Sequence, residues 1–409
     1  MKNYKYIILG GGTAAGYAAD EFVKQGVATD ELCIVSKETT LPPDRPPFSK
    51  DYLREEMEPS EFLINDEDFY SQKGIDVLLK TQVTGIDLAN KLLELDSGEQ
   101  LGYEYLLIAT GATPRNLGIP GASNENVFYL RDRQDADKII EKAKKIEKAL
   151  VIGGQFIGTE VAASLSQLGL DVTFVYPDQA PMSNFNVKEL GEYFINLFKK
   201  NNVTLIPGTK VKSLEGNPEV TKAILENGQT IETEMVVAGI GVTPNTALFE
   251  GSEMKIDDGI IVNEYCETSV ENVYAAGDVA RFPDAFYGHT RRIEHWDNAF
   301  QMGQHAAKVI TGYLEPYNYL PFFFSDVFDL SYEFYGDVSR AQNYIIRGNI
   351  DEGDFSILWT EGDLIIAGFF TASRPEEEKE KTIEYIKNKT FINQKVLADT
   401  DAPFGEDVI

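Results

Sequence analysis

The sequence predicts an α/β protein made of two nucleotide-binding modules and a small C-terminal α+β domain. Three observations carry that prediction. A glycine-rich turn lies between an apolar run and a helical pattern near the N-terminus. An imperfect copy of it returns in mid-chain, and a third stretch is duplicated at a constant offset.

The first observation is the stretch from Tyr6 to Glu38. Tyr6-Ile7-Ile8-Leu9 reads as a strand and Gly10-Gly11-Gly12 as a turn. Thr13-Ala14-Ala15-Gly16 then opens a helix that continues through Tyr17, Phe22 and Val23 to Gly26, and a second apolar run, Leu32–Val35, ends near Glu38. Gly10, Gly12 and Ala15 fit the dinucleotide fingerprint in its G-x-G-x-x-A form. Gly10 permits the tight turn. Gly12 lets a pyrophosphate approach the helix N-terminus, where free N–H groups and the dipole favour an anion. Glu38 stands where a carboxylate accepts hydrogen bonds from ribose hydroxyls.

The second observation is Val151-Ile152-Gly153-Gly154-Gln155-Phe156-Ile157-Gly158, flanked by the strand Ala149–Ile152 and a helix through Val161, Leu165 and Leu168, with Val172–Val175 as the next strand. Gln155 replaces the central glycine. Its side chain must point away from the phosphates or hold them farther off, so the second nucleotide is expected to bind more loosely, as suits a cosubstrate that leaves. The third observation pairs Asp96-Ser97-Gly98 and the strand Tyr105–Ile108, ending in Ala109-Thr110-Gly111, with Glu226-Asn227-Gly228 and the strand Met235–Ala238, ending in Gly239-Ile240-Gly241. The two align without gaps at an offset of 130 positions, Gly98 to Gly228. Duplicated modules of this kind imply two dinucleotides.

Between and after the modules the chain reads in order. Leu41–Lys50 holds Pro42, Pro43, Pro46 and Pro47, a stiff loop that carries Arg45 and Lys50. Glu55–Asp68 is acidic and irregular, and is expected at the surface. Gly74–Leu79 is expected to extend the first sheet, and Thr81–Leu95 to form short strands. Asp132–Lys148 reads as a charged helix, and Leu190–Lys200 as an amphipathic helix with Phe194, Leu197 and Phe198 on one face. Val273–Ala276 is a strand ending in Gly277-Asp278, and Ala299–Ile310 a helix. Beyond Pro321, antiparallel strands are expected at Leu330–Tyr335, Tyr344–Arg347, Ser356–Thr360 and Leu364–Phe370, then a charged helix at Pro375–Lys389 and a frayed end. The expected domains are 1–117 with 246–320, 118–245, and 321–409.

Composition excludes several functions. Of 409 residues, 37 are Lys or Arg and 66 Asp or Glu, a formal charge of −29. That argues against nucleic-acid and anionic-membrane partners. No apolar run approaches the ~18 residues that span a membrane. The chain enters a strand almost at once, leaving no room for a signal peptide, so a cytoplasmic protein is expected. Cys33 and Cys266 form no C-x-x-C pair. Cys33 reads as a small buried side chain, and Cys266 as another in a strand-like stretch. His289, His295 and His305 have no metal-ligand spacing, so no metal is expected.

The motifs together carry a resemblance. Gly10–Ala15, the Arg-Pro-Pro…Ser-Lys loop, Ala109–Gly111, the second glycine turn, Ala276-Gly277-Asp278, Glu294-His295-Trp296 and Phe324-Ser325-Asp326 occur in order. In that combination the chain resembles the two-dinucleotide flavoprotein reductases. These include the ferredoxin reductases of oxygenase systems, putidaredoxin and rubredoxin reductases, apoptosis-inducing factor and plant monodehydroascorbate reductase. The resemblance spans essentially the whole chain. It is most like monodehydroascorbate reductase over Lys5–Ala19, Ile34–Lys50, Asn126–Asp137, Val172–Pro177 and Tyr317–Asp337.

The resemblance implies a glutathione-reductase-like architecture with two Rossmann-like dinucleotide-binding domains, for FAD and NAD. For FAD it implies Gly10, Gly12, Thr13, Ala14 and Ala15 at the phosphates, with Ala109, Thr110 and Gly111 beside them. Glu38 would hold the adenosine ribose, and Arg45 and Arg131 the adenylate or pyrophosphate. Val83 would line the adenine through its backbone and Asp278 would bind the ribityl chain. Glu294 and His295, with Trp296, would abut the flavin ring. Lys50 and Glu160 resemble the catalytic pair beside flavin N5, where the cation favours reduced flavin and Glu160 orients it. For the nicotinamide nucleotide it implies Gly153, Gly154, Gln155, Phe156, Ile157, Glu160, Tyr176, Asp178 and Gly241.

Tyr176-Pro177-Asp178 offers an acid and no Lys or Arg before Lys188, so NADH is expected over NADPH. Arg292 matches the arginine that would hold the ascorbate radical anion. Phe324 stands where the ascorbate enzyme has Tyr and ferredoxin reductases have Trp, and Ser183 where the ascorbate enzyme has a basic NAD contact. Trp296 and Ser325-Asp326 lean toward the ferredoxin reductases. The expected activity is hydride transfer from NADH to flavin, then single electrons to a small acceptor. The alternatives are a reductase of a small electron-transfer protein such as ferredoxin or rubredoxin, and an NADH-responsive flavoprotein like apoptosis-inducing factor. Leu41–Lys50 holds no cysteine, so a thiol relay is not expected.

Overall fold

The computed structural model describes residues 1–399, 404–405 and 408. The chain divides into two compact units: Met1–Pro46 with Glu58–Thr113 and Val242–Tyr319, and Pro47–Met57 with Pro114–Gly241 and Leu320–Ile409. The segment after residue 319 therefore clusters with the second nucleotide module, as does the short stretch that carries Lys50.

The first unit is built on a mostly parallel sheet. The strand Lys2–Leu9 lies between Leu32–Val35 and Gln100–Ile108, Asp76–Leu78 adds beyond Leu32–Val35, and Val273–Ala275 pairs with Gln100–Ile108. Parallel strands covered on both faces must be apolar throughout, and Ile8, Cys33, Ile34, Leu106 and Ile108 are fully buried. The expected strands at 74–79 and 81–95 are present as Asp76–Leu78, Val83–Asp87 and Leu92–Leu95. The helix Thr13–Lys24 buries Ala14, Ala15, Ala18, Ala19 and Phe22. Its small residues admit a close neighbour: a Cβ at Gly303, on the helix Trp296–Ile310, would overlap the Ala14 carbonyl. That second helix starts before the expected Ala299, with His295 at its N-cap.

The second unit repeats the plan. The strand Lys148–Ile152 lies between Asp171–Val175 and Met235–Ala238, with Thr204–Ile206 and Val127–Phe128 at the two edges. Arg133–Ala143 is a helix closed by a capping box between Asp132 and Asp135, and it ends before the expected Lys148. Lys188–Lys200 buries Phe194, Leu197 and Phe198. The C-terminal segment forms a five-stranded antiparallel sheet in the order Phe322–Val327, Leu330–Gly336, Leu364–Thr371, Asp354–Glu361, Asn343–Asn349, followed by the helix Glu376–Asn388. The first of those strands, Phe322–Val327, was not among the four expected. Within this unit Phe185 packs against Phe323, Phe334, Trp359 and Phe369, and the Trp359 indole donates to the Phe185 carbonyl at 3.1 Å. That aromatic cluster ties the loop after Asp171–Val175 to the C-terminal sheet. The expected fraying of the last residues lies mostly outside the described residues.

Cys266 departs from its expected strand. It occupies a turn in left-handed backbone, φ 59°, and is fully buried. Both cysteines are free; burial pushes the Cys33 thiol up to about 12 and raises that of Cys266 further. Neither is a ready nucleophile or relay.

Candidate dinucleotide sites

Each unit presents a glycine turn that opens a helix, and the two turns share one steric constraint. Gly10 sits at φ 132°, and a Cβ there would overlap the Ala109 carbonyl. Gly153 sits at φ 109°, and a Cβ there would overlap the Gly239 carbonyl. The contacted residues are related by the same offset of 130, Ala109 to Gly239, that relates the duplicated strands. In the first unit Gly12 is the N-cap of Thr13–Lys24 and supplies no side-chain cap. A Cβ on Gly12 would meet the Arg45 guanidinium at 3.1 Å. Uncapped N–H groups, a helix dipole and a cation over a Cβ-free turn are the donor set that a pyrophosphate requires, so the residues present fit FAD.

Glu38 lies at the far end of this turn and pairs with Arg45 at 2.5 Å, both side chains mostly covered. Arg45 thus links Glu38 to the glycine turn at Gly12. Ala109, Thr110 and Gly111 are held by Asn245, to which the sequence reading assigned no site role. Its amide donates to the Thr110 carbonyl at 2.7 Å, its own backbone carbonyl accepts from Thr110 Oγ1, and its Oδ1 accepts from Thr113 Oγ1 at 2.7 Å. Asn245→Ala is expected to cost about 1–3 kcal/mol, read as a fall in the unfolding midpoint of the holoenzyme.

Asp278 is buried at the end of the strand Val273–Ala275. Trp296 donates its indole N–H to Asp44 at 2.5 Å, and Asp44 also accepts from Tyr17. Burial raises the Asp44 carboxyl, and these two hydrogen bonds oppose the rise. Trp296 is therefore anchored to the proline loop. Val83 pairs with Leu95. Arg131 lies in the second unit, its backbone N–H bonded to Asp135.

Two histidines on or beside the helix Trp296–Ile310 give a pH signature. Burial pushes His295 down to about 4, against the Asp278 carboxylate, which works the other way. Burial, with Lys308, pushes His305 down to about 4. Both folded values lie below the unfolded 6.5, so the unfolded chain binds more protons between them. Stability is then fully present above about pH 6.5 and falls as pH drops toward 4, by roughly 1–3 kcal/mol. Midpoints measured across that window are expected to decline, and His305→Asn to shallow the decline.

In the second unit, Gln155 takes the N-cap of Phe156–Gln167 without capping it. Its amide donates sideways to Ser183 Oγ at 3.0 Å, and its Oε1 is buried without a partner. A Cβ at Gly158 would overlap the Gly153 carbonyl, so this glycine lets helix and turn pack. Tyr176 is buried under the turn, 2.9 Å from where a Gly154 Cβ would lie. It supports the turn from beneath, and its phenol oxygen is buried with no hydrogen-bond partner among the described residues. Asp178 is half-buried and joins no ion pair among the described residues, and Gly241 borders open space. Ile157 is exposed at the lip of the turn. The N–H groups of this helix N-terminus, with no side-chain cap, fit a nucleotide phosphate, while the Gln155 Oε1, an acceptor, adds no bond to it.

The expected Lys50–Glu160 pair takes another form. Glu160 is buried, and its two carboxylate oxygens accept from Ser49 Oγ and Ser325 Oγ, each at 2.5 Å. Lys50 Nζ instead meets Asp326 at 3.4 Å and stands 4.6 Å over the Phe324 ring, its side chain 5% exposed. Two hydroxyls satisfy Glu160, and Asp326 supplies the anion for Lys50, so the two catalytic candidates are held by different partners that are adjacent in sequence, Ser325 and Asp326. Ser49 and Ser325 were not singled out for this role. Arg292 lies in the first unit with its guanidinium fully engaged.

Fold and turns together define a flavin-dependent oxidoreductase of pyridine nucleotides. The pattern of the pyridine nucleotide-disulphide oxidoreductase family matches residues 4–303, and that of the monodehydroascorbate reductase 3-like C-terminal domain matches residues 320–401. Monodehydroascorbate reductase of Solanum lycopersicum is 37% identical over 92% of this chain and 93% of its own, and that of Pisum sativum 38% over 93% of each. The chain belongs to the monodehydroascorbate reductase family of FAD-dependent NAD(P)H oxidoreductases. Its backbone is also similar to putidaredoxin reductase in a covalent complex with putidaredoxin, with TM-score 0.93 and 28% identity over 99% of this chain and 98% of the other. The ferredoxin reductase for the CYP199A2 system of Rhodopseudomonas palustris gives 0.92 and 27%, covering 98% and 99%. Relatives include peroxisomal and cytosolic forms. Among the described residues no helix is long and apolar enough to cross a membrane.

Proposed function

We propose that this enzyme uses NADH to reduce a small one-electron acceptor of the monodehydroascorbate kind. The observation that carries the reading is the match to plant monodehydroascorbate reductases over more than nine-tenths of both chains, C-terminal domain included. Bound FAD supplies the step from two-electron to one-electron transfer that a nicotinamide alone does not perform. The chain's own residues do the rest. The Gly10–Gly12 turn, Arg45 and Glu38 hold the dinucleotide. Lys50 places its Nζ beside the Asp326 carboxylate and over the face of Phe324. Ser49 and Ser325 fix the Glu160 carboxylate at its assigned place. Phe324 offers a flat apolar face to an acceptor. With both thiols buried, no sulfur is placed to carry electrons.

For the nucleotide, Asp178 favours NADH, because a 2′-phosphate would meet an unpaired carboxylate. Two free cysteines suit a reducing compartment, and we place the enzyme in the cytoplasm. Steady-state NADH oxidation in the presence of enzymatically generated ascorbate radical tests the proposal. Turnover well above the rate without radical is expected, and none above it would remove the reading. The second reading is reduction of a small electron-transfer protein, favoured by the putidaredoxin reductase likeness and by Trp296. A formal charge of −29 opposes docking of an acidic carrier. Turnover with rubredoxin or ferredoxin but none with the radical would select it.

A further inference from the structure

We infer that Arg292 is a positioning residue that fixes the FAD cradle of the first unit, and that it is not the contact for an anionic acceptor. The inference rests on the FAD-dependent reading and is independent of which acceptor the enzyme takes. Arg292 is 7% exposed at its side chain. Its Nε donates to the Asp258 carbonyl at 3.0 Å and its Nη2 meets the Asp258 carboxylate at 3.3 Å. Its Nη1 donates to the Asp278 carbonyl at 3.2 Å and to Glu294 Oε1 at 2.5 Å.

Three chain segments are thereby joined through one guanidinium. The first is the turn at Asp258, a non-glycine residue in left-handed backbone at φ 45°, a conformation that persists only with outside support. Arg292 holds both the carbonyl and the carboxylate of that residue, while Arg281 holds the carbonyl and carboxylate of Asp257 at 3.0 and 2.6 Å. Gly259 completes the turn: a Cβ there would meet the Val279 carbonyl at 2.7 Å and Arg292 Cδ at 2.9 Å. The second segment is Gly277–Val279, where the bond to the Asp278 carbonyl fixes the peptide that carries the buried Asp278 side chain. The third is Glu294, directly before His295, the N-cap of Trp296–Ile310. Asp278, Glu294 and His295 are the residues assigned to the flavin, and Arg292 sets their spacing.

To bind a small anion, this guanidinium would have to leave two carbonyls and two carboxylates with which it already forms charge-assisted bonds. The planar fork also explains why lysine is not an equivalent there.

The test compares Arg292→Gln, Arg292→Lys and Asp258→Asn holoenzymes. The rate of FAD release is followed by the fluorescence of freed FAD. KM is measured for the ascorbate radical and for an uncharged quinone on the FAD-loaded fraction. Arg292→Gln is expected to release FAD at least ~10-fold faster, with both KM values within about twofold of the parent. Arg292→Lys is expected to fall between. Asp258→Asn, at an exposed carboxylate, is expected to speed release in the same direction. Normal FAD retention in Arg292→Gln together with a KM raised tenfold for the radical alone would overturn the inference. If Arg292→Gln does not fold, unchanged release from both Arg292→Lys and Asp258→Asn would overturn it. A parent enzyme inactive with the radical would count against the proposed acceptor and leave the release measurement decisive.

Discussion

Lys50→Met is expected to lower kcat for NADH-driven acceptor reduction by about 100-fold or more while FAD remains bound. A lysine side chain 5% exposed, facing a ring at 4.6 Å and one carboxylate at 3.4 Å, is shielded from the water that would otherwise screen it. Charge in such a place acts strongly on a reacting group, because the surroundings do not need to reorganise. Methionine keeps the length and apolar stem and removes only the charge. The resemblance assigns this lysine to the reactive end of the flavin, so the loss should fall on kcat and leave FAD content alone. Glu160→Gln separates charge from geometry. The amide can still meet Ser49 and Ser325, so a modest change is expected there, against a larger one for Glu160→Leu, which strands both hydroxyls. Stopped-flow reduction by NADH measures each variant. An unchanged rate in Lys50→Met would remove the lysine from the mechanism.

The second large effect concerns nucleotide choice. The parent enzyme is expected to prefer NADH, and Asp178→Arg to move the ratio of kcat/KM for NADPH over NADH upward by about 100-fold, roughly 2.7 kcal/mol. Asp178 follows the strand Asp171–Val175, at the position the resemblance assigns to the nicotinamide nucleotide, and among the described residues it joins no ion pair that substitution would break. The change replaces one repulsion with one attraction at a 2′-phosphate. Equal use of both nucleotides by the parent would place the selecting charge elsewhere.

These predictions draw on two layers of information. The modules were legible because their signals are local. A strand, a glycine turn and a helix occupy consecutive residues, and the steric demand at Gly10 and Gly153 admits few other residue types. The offset of 130 was visible for the same reason, and its physical content is the shared contact with Ala109 and Gly239. The C-terminal strands were mostly legible from alternation, but Phe322–Val327 was hidden because its run of three phenylalanines breaks the period-two pattern.

The wiring of the sites was not legible. Glu160 meets Ser49 and Ser325 at separations of 111 and 165 residues, and Trp296 meets Asp44 across 252. A hydroxyl carries no pattern that marks it as a carboxylate's partner. Asn245 carries no motif that marks a site residue, yet it holds the Ala109–Gly111 turn. Arg292 was expected from the resemblance to hold the ascorbate radical anion, and folding brings four acceptors around it. Sequence spacing marks the glycine turns, and only the tertiary structure shows which atoms pair around them.

The central claim is that this chain holds FAD at the Gly10–Gly12 turn and receives electrons there from NADH. The most direct measurement is the flavin content of the purified protein, followed by anaerobic titration with NADH. The account predicts about one FAD per chain and loss of the flavin's visible absorption at about one NADH per chain. A protein that is colourless, and remains so after incubation with FAD, would contradict it.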